Sequence, residues 1–363
     1  MLALKQADGV GGVLFRQLLS YFGSAKEVLS ASDGKLLKVP GIGKAALASI
    51  KEAGKHLNTA ENELRHCEKH GYKIITFLDK DYPQRFKGLY DMPPLIYFSG
   101  SHDLNYTKTI GIVGTRKATD YGKMATERMI EELADQQVCV VSGLAYGIDI
   151  AAHKAAIKYG LPTLAVMAGG LDYIYPAAHK KYIEDIKNNG GLVSENKTDN
   201  IPIGPQFIAR NRIIAALSDA ILVVESAKRG GGLVTAECGN NYNREVYAVP
   251  GAVGQPYSEG PNNLIRSNKA KIYLSAQQLI EDLNWDLPDT STTRNNQSSE
   301  LDLTRFTGDE SRILSILKKE GECLIDNLSF QSNIPLNKLA SLLLNLEFQD
   351  LVKALPGKKF KLK

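Results

Sequence analysis

Short β-branched and apolar runs alternate with helical periods through the middle of this chain, and glycine marks most of the junctions. Residues 73–77, 109–113, 138–141, 163–166, 220–224 and 245–248 read as strands. Residues 119–135, 148–159, 179–188, 206–217 and 233–242 read as helices. Strand and helix in alternation require a parallel sheet with helices on both faces, because each crossover returns the chain to the same edge. The expected fold class is therefore α/β, with an extended Rossmann-like parallel sheet spanning residues 69–285.

The flanks read differently. With 363 residues, 43% of them hydrophobic, the chain can hold two or three cores. Residues 1–68 are glycine-punctuated short helices, and Val39-Pro40-Gly41-Ile42-Gly43-Lys44 fits the turn of a helix-hairpin-helix (SAM-like) module. In such a turn Gly41 and Gly43 leave backbone N–H groups for a phosphate, with Lys44 alongside; the same turn also joins helices that bind nothing. Residues 286–303 hold almost no aliphatic side chains and read as a flexible linker. Residues 304–363 suggest three helices and a terminal hairpin, a winged helix.

Composition narrows the class further. No run is apolar enough to span a bilayer, and the start lacks a secretory layout, so a cytoplasmic protein with no membrane partner is expected. Cys67, Cys139, Cys238 and Cys323 have no paired spacing, which implies neither a disulfide framework nor a metal site. The net charge of +4 is too small to identify a polyanion binder, so the local grouping of basic residues matters more.

Four glycine turns follow strands. In Gly114-Thr115-Arg116 the glycine permits close backbone approach, the next helix presents free N–H groups, and Arg116 adds a forked cation, which together make an anion site. Ser142-Gly143, Gly169-Gly170 and Gly230-Gly231, the last leading to Thr235, follow later strands. Carboxyl ends of parallel strands share one edge, where ligands bind. Each turn alone could serve packing; collectively they read as a phosphate-contacting edge. The spacing is not that of a dinucleotide fingerprint, and no cofactor is expected.

Helical spacing in Phe207-Ile208-Ala209-Arg210-Asn211-Arg212 puts Phe207, Arg210 and Asn211 near one face, while Arg212 points away. An aromatic ring beside guanidinium groups is what single-stranded DNA requires. The alternative is a core Phe207 with its arginines paired to Glu225 or Asp219. His153 and His179 fall in helices without metal-pair spacing, and no nucleophile elbow, P-loop or zinc-protease motif occurs. No catalytic residue is expected.

Together these blocks resemble the DprA/Smf family of bacterial DNA-processing proteins. The match runs through residues 112–116 with Tyr121-Gly122, residues 142–149 with His153, Gly169 to Asp172 with Tyr175-Pro176, Ser194-Glu195, residues 210–214, Thr235-Ala236, Val249-Pro250-Gly251 and Asn262. The resemblance implies a protein that binds single-stranded DNA during natural transformation, dimerises through its Rossmann-like domain and helps load RecA. It also implies that Arg116 is a phosphate-binding arginine, with Ser142, Gly143 and residues 207–212 in the DNA pocket. The chain departs at Ile208, where proline is usual, at Ala209, where a basic residue is frequent, and at Ala216, where glycine is usual.

Two rival readings can be weighed. A nucleotide-processing enzyme resembling the Lonely Guy phosphoribohydrolases would place glycine before Thr235 and glutamate three residues after it; here Val234 and Cys238 stand there, with Glu237 out of register. A transcriptional regulator would read bases with the helix at residues 336–348, which offers Lys338 alone as a cation; that module reads rather as a protein-docking one.

Overall fold

The structure, a computed structural model, describes residues 1–286, 306, 308–349, 351–355 and 358–362. The expected linker at 286–303 lies outside the described residues, Asp286 excepted.

The N-terminal helices are α1 (Leu2–Lys5), α2 (Gly12–Phe22), α3 (Ala25–Ser30), α4 (Asp33–Leu36), α5 (Lys44–Glu52) and α6 (Leu57–His70). Most are too short to persist alone, and they share a core built on Phe15, Leu18, Val28, Leu36, Val39 and Ile50. The Ser24 hydroxyl caps α3 by accepting from the Glu27 N–H at 3.2 Å.

The central sheet comprises β1 (Lys73–Thr76), β2 (Leu95–Gly100), β3 (Thr109–Val113), β4 (Cys139–Ser142), β5 (Thr163–Val166), β6 (Gly190–Ser194), β7 (Ala220–Val223), β8 (Glu245–Ala248) and β9 (Lys271–Ile272). Among the described residues these nine strands take the order β1-β2-β6-β5-β4-β3-β7-β8-β9. From β6 to β9 every pairing is parallel, whereas β2 is antiparallel to both β6 and β1. Ile110 sets the central register, opposite Val140 on one side and Ala220 on the other.

Helices α7 (Asp120–Glu132), α8 (Ile148–Lys158), α9 (Ile183–Asn188), α10 (Gly204–Leu217), α11 (Gly231–Asn241), α12 (Glu259–Arg266) and α13 (Ala276–Asp282) cover the sheet. The two-residue strand period decides which side chain meets which helix. Val138 and Val140 pack with α7, α8 and α13, while Cys139 and Val141 pack with α10 and α11. The chain leaves β3 toward β4, β5 and β6, then returns to place β7 on the other side, so the β3/β7 junction is the switch point.

Beyond the core lie α14 (Gly308–Glu320), β10 (Glu322–Leu324), α15 (Ile325–Ser332), α16 (Leu336–Phe348), β11 (Val352–Leu355) and β12 (Lys359–Leu362). Three helices and a hairpin around Ile313, Leu328, Leu339 and Leu343 make the expected winged helix, and β10 adds a third strand to it.

Several elements depart from the sequence reading. β2, β6, β9, α12 and α13 were not anticipated. The single helix expected at 179–188 is a 3₁₀ turn, Ala177–Tyr182, followed by α9. β6 was hidden because glycine reads as a strand breaker. Here Gly190 and Gly191 are demanded by close approach: a Cβ on Gly191 would meet the Ser99 carbonyl oxygen at 2.9 Å.

Asp219, just before β7, holds the core together. Its carboxylate accepts from Arg85 Nε and Nη2, both at 2.7 Å, and from the Thr109 N–H at 2.9 Å. Arg85 also donates to the Tyr106 and Thr107 carbonyls, so the pair ties the stretch after β1 to the starts of β3 and β7. Asp219→Ala, which leaves a buried guanidinium without its counter-charge, should cost about 3–5 kcal/mol in urea unfolding; the double variant Arg85→Met/Asp219→Leu should cost less than the sum of its single variants.

Candidate nucleic-acid interface

The turns after β3, β4 and β5 and the start of α10 enclose a pocket at the carboxyl edge of the sheet. Arg116, Gly143, Gly169, Phe207 and Arg210 all line it. Arg116 is exposed on the loop after β3. Its guanidinium carbon lies 5.5 Å from the centroid of the Phe207 ring, a cation–π arrangement. Phe207, half-buried, also meets the Tyr175 ring edge-on, with centroids 5.2 Å apart and planes at 65°.

Arg210 is built the opposite way. Its side chain is buried, and Nη1 donates to the Gly143 carbonyl at 2.5 Å and to the Val166 carbonyl, bridging the ends of β4 and β5. Nε donates to Asn211 Oδ1 at 3.2 Å. Burial lowers its pKa to about 10, against the attraction of Asp149 and with the repulsion of Arg116, so the group stays charged at neutral pH. Burial in turn raises the Asp149 carboxyl, against the opposing pull of Arg210. A Cβ on Gly143 would sit 2.6 Å from the Arg210 guanidinium carbon, so a side chain there would displace the guanidinium. Arg210 thus serves as a strand staple whose charge forms the pocket floor.

The remaining expected residues do not line the pocket. Ser142 is buried and its hydroxyl donates to the Ile112 carbonyl at 2.6 Å. Asn211 donates to the Gly231 carbonyl at 3.3 Å, fixing the start of α11. Arg212 faces away and pairs with Glu195 at 2.5 Å, which corrects the alternative pairing with Glu225 or Asp219. Gly114 packs against Ile148, Gly170 packs against the Lys197 and Thr198 carbonyls, and Thr115 donates its N–H to the Glu225 carbonyl at 2.6 Å. Thr235 is buried in α11, where its hydroxyl has no hydrogen-bond partner among the described residues. Gly41, Gly43 and Lys44 form the turn into α5, with Gly41 at φ +87° and Lys44 exposed.

Glu225 occupies the switch point. Its carboxylate accepts from the Thr119 N–H at 2.9 Å and hydroxyl at 2.5 Å, placing the protein's own anion at the N-terminus of α7. A dinucleotide phosphate would need that position.

What the sequence reading missed is aromatic. Tyr146, Tyr173 and Tyr175 line the pocket at 46%, 39% and 45% exposure. All three sit inside or just after the glycine turns already singled out, so tyrosine next to those glycines was the available signal. Half-exposed rings around a guanidinium provide stacking faces beside a phosphate ligand.

His153 is buried in α8 with Nδ1 2.7 Å from the Thr163 hydroxyl, and burial lowers its pKa to about 3, so it stays neutral. The four cysteines are free, and among the described residues no group of three or more His, Cys, Asp or Glu side chains is placed to hold a metal ion.

The model of the family described as DNA recombination-mediator protein A matches residues 73–284. A SAM-like helix-hairpin-helix tandem matches residues 1–55, and a DprA winged helix domain matches residues 297–358. Protein Smf of Synechocystis is 36% identical over 289 residues, 78% of this chain and 71% of the relative. DNA processing protein A of Streptococcus pneumoniae superposes with a TM-score of 0.68 at 31% identity, covering 77% of this chain and 96% of the other. DNA processing protein A of Helicobacter pylori, described for its single-stranded DNA binding mode, gives 0.54 at 30% identity, covering 60% and 97%.

The two pocket arginines should separate in stability. Arg210→Met, which strips two carbonyls of a charged donor, should lower the unfolding free energy by about 1.5–3 kcal/mol. Arg116→Ala should stay within about 0.5 kcal/mol of the parent in the same urea titration.

Proposed function

Because this chain belongs to the DNA recombination-mediator protein A family, we propose that it binds single-stranded DNA in the pocket of Arg116, Phe207 and the three tyrosines. One observation carries this reading: an exposed arginine lies over a half-buried aromatic ring at the mouth of a tyrosine-lined pocket. Phosphate meets Arg116 and bases stack on the rings, which suits a flexible strand and excludes a closed duplex from the slot. The buried charge of Arg210 lies at the Gly143 end of that pocket.

The wider role rests on the family resemblance. The protein dimerises through its Rossmann-like domain, promotes loading of RecA on single-stranded DNA during natural transformation, and works in the cytoplasm. Among the described residues no helix is long and apolar enough to cross a membrane.

It acts by binding, not by catalysis. In the phosphoribohydrolase reading the acid's position is held by Cys238, which packs against the core and whose thiol burial pushes up, while Glu237 is exposed on α11. The purified protein should therefore release no base from nucleoside monophosphates; turnover abolished by Glu237→Gln would establish an enzyme instead.

Binding of a labelled oligothymidylate across a salt series tests the DNA reading. Arg116→Ala removes one phosphate contact and should reduce the logarithmic salt slope by roughly 0.7. Phe207→Ala should weaken binding by about 1–3 kcal/mol per stacked base with the slope unchanged. Parental binding by Arg116→Ala at every salt concentration would place the site elsewhere.

A further inference from the structure

His179 lies in the 3₁₀ turn Ala177–Tyr182, 5% exposed, and its Nδ1 is 2.8 Å from the Leu144 carbonyl oxygen. A carbonyl only accepts, so Nδ1 carries the hydrogen and donates it. Leu144 stands at φ +58°, in the left-handed region that bulky side chains avoid, and its side chain is completely buried. Such a residue persists only where its surroundings over-determine it. Several constraints act here: the Leu144 side chain is buried in a core shared with Met167, Leu171 and Ile186, the Asp149 carboxylate accepts from the Ala145 N–H at 3.4 Å, and the imidazole holds the Leu144 carbonyl.

The position of Leu144 gives this clamp its consequence. Gly143 before it accepts from Arg210, and Ala145 and Tyr146 after it line the pocket. The Tyr146 ring also rests edge-on against the His179 ring, with centroids 5.0 Å apart and planes at 72°. One imidazole therefore touches the backbone turn and one aromatic wall together. If Leu144 relaxed to negative φ, the following peptide would rotate and carry Tyr146 with it.

We infer that His179 is a positioning residue of the single-stranded DNA site, holding Leu144 in its left-handed conformation and Tyr146 in the pocket wall. The inference rests on the DNA-binding reading but has a readout independent of it. Asn carries an N–H donor where His carries Nδ1, and Gln carries one where His carries Nε2, so the two amides separate the bond to Leu144 from mere bulk. His179→Ala and His179→Gln should each weaken oligothymidylate binding about tenfold, the worth of one buried hydrogen bond, and His179→Asn should stay within about threefold of the parent. The logarithmic salt slope should be the same in all, because no phosphate contact is removed. In amide NMR spectra of the full chain, the Gly143, Ala145 and Tyr146 resonances should move in the Ala and Gln variants and stay near the parent in Asn.

Equal effects of Asn and Gln, or unmoved resonances in a folded Ala variant, would overturn the inference. Should the Ala variant fail to fold, the Asn and Gln pair still decides. Should the parent bind no single strand, the functional reading falls and the amide shifts alone judge the positioning role.

Discussion

A buried guanidinium is the constraint around which this site is arranged. Removing a charge from water costs several kcal/mol unless its hydrogen bonds are satisfied and a counter-charge is near. Arg210 meets both conditions with the carbonyls of Gly143 and Val166, with Asn211, and with the attraction of Asp149. Satisfying it draws the ends of β4 and β5 to a single side chain. It also leaves no room for a side chain at residue 143 unless the guanidinium moves, and it sets a positive charge beneath the pocket.

That arrangement divides the work between two arginines. Arg210 is committed to the backbone and shapes the floor, whereas Arg116 is exposed above Phe207 and available to a ligand. The anion position at the start of α7 is held by Glu225, so the concavity that Glu225 lines with Thr119, Tyr121 and Pro250 presents a fixed carboxylate, while the tyrosine-lined pocket lies beside it, over β4 and β5. In the proposed function a phosphate-bearing strand takes the tyrosine-lined pocket, away from the dinucleotide position of a Rossmann sheet.

Much of the fold was legible because strand and helix periods differ so strongly. Val138 to Val141 alternate between two helix layers as a period of two requires, and three of the four glycine turns, those after β3, β4 and β5, enclose the pocket. What stayed hidden needed long-range contact to appear. Gly190 and Gly191 look like breakers until β5 lies against the first and β2 against the second. Arg210 and Arg212 are chemically identical in the sequence, and only tertiary burial makes one a staple and the other a partner of Glu195. Ser142, Asn211 and Thr235 belong to recognisable motifs, yet motif membership does not say whether a polar side chain faces ligand or backbone. Tyr146, Tyr173 and Tyr175 stand beside the glycines in the sequence, but only the tertiary arrangement gathers their rings around Arg116 and Phe207.

In the proposed function, bases of a single strand lie on this aromatic pocket. Photo-crosslinking of an oligonucleotide carrying 5-iodouracil, followed by mass spectrometry of the full chain, tests it directly, since the base radical joins to the aromatic ring it stacks upon. Adducts on Tyr146, Tyr173, Tyr175 or Phe207 are the predicted result. Adducts confined to the turn at Gly41–Lys44 or to the winged helix, with the four pocket rings unmodified, would contradict it.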